Sequence, residues 1–447
     1  MAEGPAAAPR LALALLVCAS APTARAFDTL RLGELALTPT FQTIVTFQHG
    51  EGINYGVGAL DTPGETERDV SYLVAKPKVD LLLPLAAAMP GGKAEAYGAL
   101  SVVAATTQLD GEISGQVARA GDWAVDTDHA YLGLRNEVLD LSVGGQEFTV
   151  GDGFVIGDGN FNQGGENGQY WSGAFLSWRN SAVLKVNTKP VRGDVFWLRA
   201  DTDFKDARVV GINLETTTEE RFGSLGLMWM EVIQGGAFNY DGMEVVNLRG
   251  RGLHLPSFPA LRLYGEWVRQ LGNDDQAGGR PNDATGWYLE GEYTLPRLPW
   301  TTRLSYRYTW LSGDRPETVE NEEYRGLFFT IFRRDWDTFY QGEIAGEYHL
   351  FNQNQVTQML KLKTFPRPDW ALGLWYYHHA LEQPHYFATQ LTERNWADEV
   401  NVGIEHFMAR RYYTYLGFAW STPNAAARQV FGNEEFWVVQ TYLSYTF

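Results

Sequence analysis

Cysteine and long apolar runs are nearly missing from this sequence. Only one of the 447 residues is a cysteine, and this residue, Cys18, lies in an N-terminal segment that we expect to be removed. A mature chain without cysteine can neither form disulfides nor use thiol chemistry. After about the first thirty residues there is no apolar run long enough for a transmembrane helix, which excludes a helical membrane protein.

Positive charge is also scarce. The chain has 36 Lys and Arg against 54 Asp and Glu, which gives a net charge of -18, and it has no basic stretch. This charge balance argues against a nucleic-acid partner. The acidic residues concentrate in segments 61–69, 273–276 and 314–323, which we interpret as solvated loops.

Aromatic residues and glycine are abundant instead. Aromatics make up 14% of the chain, there are 47 glycines, and the mean hydropathy is only -0.26. Together with alternation of apolar and polar residues, this composition predicts a transmembrane antiparallel up-and-down β-barrel of the bacterial outer-membrane type. The last ten residues, VVQTYLSYTF, show the alternation clearly. Their ending, with Leu443, Tyr445 and Phe447 on one face, resembles the signal that is read by the barrel-insertion machinery.

The N-terminus predicts export through the inner membrane. Arg10 precedes an apolar core at 11–17, and a small-x-small site follows at 24–26. We expect a signal peptide at 1–26, cleavage before Phe27, and one barrel domain over 27–447. Val17 is bulky for a lipoprotein processing site, so we do not expect Cys18 to be lipidated.

Segments of alternating polarity predict about eighteen strands, the first near 38–48 and the last at 436–447. Short turns and long loops should alternate, because such barrels have short periplasmic turns and long extracellular loops. This rule decides how to interpret 345–364. Two strands there would place the acidic loop 312–337 in the periplasm, so we assign a single strand.

Strand alternation also predicts which side chains face the lumen, because Arg or Lys on the lipid face near the midplane costs about 2–4 kcal/mol. The predicted pore-lining basic residues are Arg179, Lys185, Arg199, Arg249, Arg251, Arg262, Arg303, Arg307, Lys361 and Lys363. The predicted pore-lining acidic residues are Glu266, Glu290 and Glu292, and Glu405 is a further candidate.

Two interpretations of this lining remain open. A net-positive lumen would attract anions, and the planar guanidinium groups would suit carboxylates. Alternatively, acidic and basic residues on neighbouring strands could form a self-neutralising ladder of ion pairs. Two inward aromatic residues, Tyr264 and Trp197, could stack on sugar rings.

Two motifs could suggest a metal or an enzyme. The repeat in GDGFVIGDGN could let Asp152 and Asp158 bind Ca²⁺, but a single copy without further acidic ligands favours an ordinary loop. His378, His379 and His385 could suggest a hydrolase, but the first two fall on opposite faces of one strand. No Ser, His and acid align on one face of neighbouring strands. We therefore expect no cofactor, no metal and no enzymatic activity.

Four segments resemble the alginate-export family of outer-membrane porins. They are HAYLGLRNEVLDLSVGGQEFTVGDGFVIGDGN (129–160), GWYLEGEYTLPRLPWTTRLSYRYTWLSGD (286–314), WDTFYQGEIAGEYHLFNQNQ (336–355) and ADEVNVGIEHFM (397–408). The resemblance implies an eighteen-stranded barrel that exports an anionic uronate polysaccharide through an arginine-rich lumen, with periplasmic export partners.

From the sequence we expect a passive channel for anionic solutes, with export of an acidic polysaccharide as the first hypothesis. Its partners would be outer-membrane lipid and lipopolysaccharide. The alternatives are small-anion uptake, a hydrolase embedded in the barrel, and an adhesive barrel.

Overall fold

The computed structural model describes residues 27–157, 159, 168, 170, 172–200, 206–218, 222–236, 240–274, 279–329, 341–408 and 411–447. The predicted signal peptide at 1–26 lies outside these residues, as does Asp158.

Eighteen antiparallel strands form the wall of the barrel. They are β1 (Leu35–Glu51), β2 (Glu67–Met89), β3 (Gly92–Leu109), β4 (Trp123–Arg135), β5 (Leu139–Gly145), β6 (Asn180–Val186), β7 (Val191–Arg199), β8 (Arg208–Thr216), β9 (Ser224–Gln234), β10 (Glu244–Leu255), β11 (Phe258–Asp274), β12 (Arg280–Thr294), β13 (Thr301–Leu311), β14 (Gln355–Arg367), β15 (Trp370–Leu381), β16 (Asn395–Met408), β17 (Tyr412–Pro423) and β18 (Phe436–Thr446). A short strand, Leu30–Leu32, folds back on β1.

The last strand closes the barrel against the first. The pairing of β1 with β18 runs from Gln42 opposite Thr446 to Glu51 opposite Trp437. Closure leaves no open edge between these strands, as a sheet in lipid requires. This confirms the predicted eighteen-stranded barrel.

The connections are long at one end of the barrel and short at the other. The long-loop end includes 52–66, 110–122, 146–179, 312–354, 382–394 and 424–435, whereas the short-turn end includes 90–91, 136–138, 256–257 and 368–369. The single-strand assignment for 345–364 therefore preserves the alternation. Only its second half is a strand, however, because Ala345–Leu350 forms a π-helix within the long connection.

Two hydrophobic clusters lie inside the barrel, where the long loops fold inward. Phe148, Phe154, Trp178 and Phe328 belong to the first, together with inward residues of β6 to β13. The second joins Tyr55, of the 3₁₀ helix Ile53–Gly56, and Tyr348 to inward residues of β1 to β3 and β15 to β18. These packed loops narrow the long-loop end of the lumen.

No helix among the described residues is long and apolar enough to cross a membrane.

Candidate functional site: the charged wall of the lumen

The outward face of the barrel is apolar. Large apolar side chains are exposed along the wall, among them Leu100, Leu132, Leu289 and Leu360. A closed barrel with such a surface is the architecture of bacterial outer-membrane proteins, and it places this chain in an outer membrane. The face opposite these side chains is the lumen face.

A charged ladder crosses the lumen face from β12 to β16. Glu290 is its centre, with the Arg307 Nη1 atom 3.9 Å and the Lys361 Nζ atom 3.8 Å from its two carboxylate oxygens. These residues come together because Glu290 lies opposite Arg307 in the register of β12 and β13. All three side chains are almost fully buried.

The ladder continues toward the short-turn end. The Lys363 Nζ atom lies 2.7 Å from Glu405, and the Arg303 Nη1 atom lies 4.0 Å from Glu292. Arg303 also lies over the ring of Phe365. Among the described residues the ladder has four cations and three carboxylates, and each cation lies within 4.0 Å of a carboxylate oxygen.

A second charged group lies on β8 to β11. The Arg249 guanidinium donates to the side-chain oxygens of Asn247 and Asn213, and Asn247 also donates to Glu266 at 3.0 Å. The Arg251 Nε atom lies 2.9 Å from an Asp152 carboxylate oxygen. Arg249, Glu266 and Asp152 are buried, so an inward loop covers part of this wall.

Three of the remaining predicted basic residues are Arg179, which directly precedes β6, Lys185 of β6 and Arg262 of β11. Arg179 pairs with Asp126 at 2.7 Å, and Lys185 lies over the ring of Phe148. Arg262 is exposed and lies opposite Glu292 in the register of β11 and β12.

Arg199 lies on the outward face, contrary to the expectation. In β7, Phe196 and Leu198 are buried whereas Val195 is exposed, so Trp197 and Arg199 point outward. Arg199 ends its strand and pairs with Asp206 at 2.7 Å. At a strand end the guanidinium can reach water and an acidic partner, so the penalty for a lipid-facing Arg does not apply.

Trp178 is not a wall residue, although strand alternation through 174–188 would place its side chain on the lipid face. It is fully buried in the first cluster, and its indole nitrogen donates to the Phe148 carbonyl at 3.0 Å. Residues 174–178 carry alternating polarity but belong to the inward loop rather than to β6. Alternation alone does not distinguish a strand in the wall from an extended segment that packs inside it.

A network around Asp128 was missed from the sequence. Lys76 and His129 both contact Asp128, at 2.5 and 2.9 Å, and His129 Nε2 lies 3.1 Å from Glu147. The backbone N–H groups of residues 176 and 177 donate to the other Asp128 oxygen. This network joins the loop 146–179 to the wall.

A Ser, a His and an acid do meet in this network, contrary to the expectation. Ser101 Oγ lies 2.9 Å from His129 Nδ1, and Asp128 is 2.9 Å from the same nitrogen. A catalytic triad needs the serine and the acid on opposite nitrogens of the ring. Ser101 and Asp128 share the Nδ1 side of the His129 ring, whereas Glu147 lies 3.1 Å from Nε2 on the opposite side.

Carboxylates also hold the loops inside the lumen. Glu399 accepts hydrogen bonds from the backbone N–H groups of residues 343, 344 and 345, where the chain enters the π-helix. Burial raises the pKa of Glu347 within that helix and of Glu112 in the loop 110–122. Burial also lowers the pKa of His349 to about 3, so this ring is neutral among its aromatic neighbours.

The three histidines that suggested a hydrolase do not form one site. His378 pairs with Asp398 at 2.9 Å, and His379 is fully buried beside Thr357 at 3.0 Å. His385 lies in the connection 382–394, 3.7 Å from Glu323.

No family profile matches this sequence, and no curated protein matches it. Its fold does match solved structures. OccAB4 of Acinetobacter baumannii aligns with a TM-score of 0.56 at 11% identity, over 92% of this chain and 98% of that chain. OprD of Pseudomonas aeruginosa gives 0.55 at 12% identity, over 92% and 93% of the two chains. OpdK of Pseudomonas aeruginosa, solved with vanillate, gives 0.51 at 10% identity, over 92% and 98%.

These likenesses show a shared eighteen-stranded barrel fold. The resemblance to the alginate-export family finds no support in them, because the matched structures are OprD and Occ porins.

Proposed function

We propose that this chain is a passive outer-membrane channel for the uptake of small solutes and that small carboxylates are its preferred class. The observation that carries the proposal is the ladder of Arg303, Arg307, Lys361 and Lys363 on one side of a closed barrel, where the described residues interleave them with Glu290, Glu292 and Glu405. Guanidinium and ammonium groups that line a pore favour anionic permeants.

The inward loops support a small solute rather than a polymer. Two clusters of buried side chains join the loops to opposite parts of the wall. The loops 146–157 and 312–329 also pair with each other, because the Gly157 N–H donates to the Phe328 carbonyl at 2.7 Å. Such packing leaves a polysaccharide little room. OpdK was solved with vanillate, an aromatic carboxylate, which belongs to the class that we propose for this chain.

Swelling of proteoliposomes tests the proposal directly. Vesicles that contain the purified barrel should swell faster in a small carboxylate such as gluconate than in a neutral sugar of similar size. A uronate oligosaccharide should enter far more slowly than either. Equal rates for gluconate and the sugar would contradict the anion preference, and rapid entry of the oligosaccharide would favour polymer export.

A further inference from the structure

The Gly-Asp-Gly segment at 151–153 has a partner that does not fit a calcium site. The Asp152 carboxylate lies 2.9 Å from Arg251 Nε, and its side chain is only 6% exposed. An acid that faces a guanidinium at this distance is a ligand for that cation rather than for a metal ion. Asp152 therefore has a different role from the one that the repeat suggested.

The glycines let the loop lie directly on the wall. Gly151 has a φ of +62°, and a Cβ atom there would lie 2.6 Å from the Arg249 Cδ atom. A bond from the Val150 N–H to the Ile156 carbonyl, at 2.9 Å, closes the loop. The loop backbone thus places the Asp152 side chain against β10, the strand that contains Arg251.

The two arginines beneath the loop differ in access. Arg249 is buried, and its guanidinium donates to two asparagine side chains of the wall. The Arg251 side chain is 40% exposed although Asp152 contacts it. Arg251 therefore binds the Asp152 carboxylate while part of its side chain stays accessible to a solute in the lumen.

We propose that Arg251 is a carboxylate-binding site that the chain's own Asp152 occupies, so that a solute carboxylate competes with Asp152 for it. This inference rests on the proposed function, because it assigns the solute class and its internal competitor to the same lumen. A solute carboxylate presents the same two oxygens to the guanidinium as Asp152 does. A solute cannot bind while Asp152 occupies the site. The apparent affinity for the solute is therefore the intrinsic affinity multiplied by the fraction of time for which the site is free.

Binding of fluorobenzoate to the purified full-length barrel, followed by fluorine NMR, tests the proposal. Asp152→Asn removes the competing charge, and the apparent affinity should increase about two- to fivefold, in line with the loss of one partly exposed ion pair. The double variant Asp152→Asn with Arg251→Gln should lose this gain. Asp206→Asn is the matched control, because Asp206 pairs with Arg199 on the outward face, and it should bind as the wild type does.

An unchanged affinity for Asp152→Asn would overturn the proposal, as would a gain that persists in the double variant. Conductance in planar bilayers separates this result from the proposed function. A barrel that conducts ions but shows no gain disproves the internal competitor alone. A barrel that does not conduct disproves the channel, whereas the binding data still decide the role of Asp152.

Discussion

Replacement of Glu290 by Gln is the sharpest test of the charged ladder. The Glu290 side chain is fully buried, and two cations lie within 4 Å of it, Arg307 at 3.9 Å and Lys361 at 3.8 Å. The amide is nearly isosteric with the carboxylate, so the variant removes the charge and leaves the volume. Both cations then remain buried without the carboxylate that they face.

The expected loss of unfolding free energy follows from the distances between Glu290 and its two cations. At about 3.8–3.9 Å and an effective dielectric constant of about 20, each contact contributes roughly 4 kcal/mol of Coulomb energy. Desolvation offsets part of this, and loss of one partner of a buried pair costs about 3–5 kcal/mol. We expect Glu290→Gln to lower the free energy of unfolding by that amount, measured by urea titration of the barrel in detergent micelles.

A matched control separates the buried ladder from any loss of charge. Glu51 lies at the end of β1, its side chain is 46% exposed, and it is 3.4 Å from His49. Glu51→Gln should change the free energy of unfolding by less than about 1 kcal/mol. If both variants unfold at the same urea concentration, the reasoning about the buried ladder is wrong.

Three further predictions concern the loops and the C-terminus. Because burial raises the pKa of Glu347, the packed loop favours the protonated carboxyl group. A rise in pH through that pKa should loosen the loop and change the frequency of closures in single-channel recordings. Glu347→Gln should remove this pH dependence. Gly151→Ala should displace the loop from Arg249 and increase conductance, since a Cβ atom there has no room; unchanged conductance would contradict the close packing. The ring centroid of Phe447 lies 6.1 Å from that of Phe41. Deletion of Phe447 should reduce the amount of folded barrel in outer-membrane fractions, whereas Phe447→Trp should retain the wild-type amount.

The wall of the barrel could be predicted from the sequence because each strand has two chemically different faces. In β18, Leu443 and Tyr445 alternate with the buried residues Tyr442 and Ser444, as the pattern indicates. The π-helix Ala345–Leu350 could not be predicted in this way. Its conformation depends on the carboxylate of Glu399, which is distant in sequence and accepts hydrogen bonds from its first backbone N–H groups.

The site could be predicted only in part, for the same reason. Arg307 and Glu290 lie on adjacent strands, so their register follows from one short turn. Lys76 and Asp128 lie on strands that are not adjacent, and their contact depends on how the loop 146–179 folds inward. Arg199 shows a further limit, because a one-residue error in alternation moves a side chain to the opposite face.

Reversal potential in planar bilayers under a potassium chloride gradient tests the central claim most directly. The purified wild-type barrel should form a pore that conducts chloride in preference to potassium, and Arg303→Ala should reduce that preference because Arg303 is the most exposed cation of the ladder. A cation-selective pore, or a barrel that forms no pore, would contradict the account.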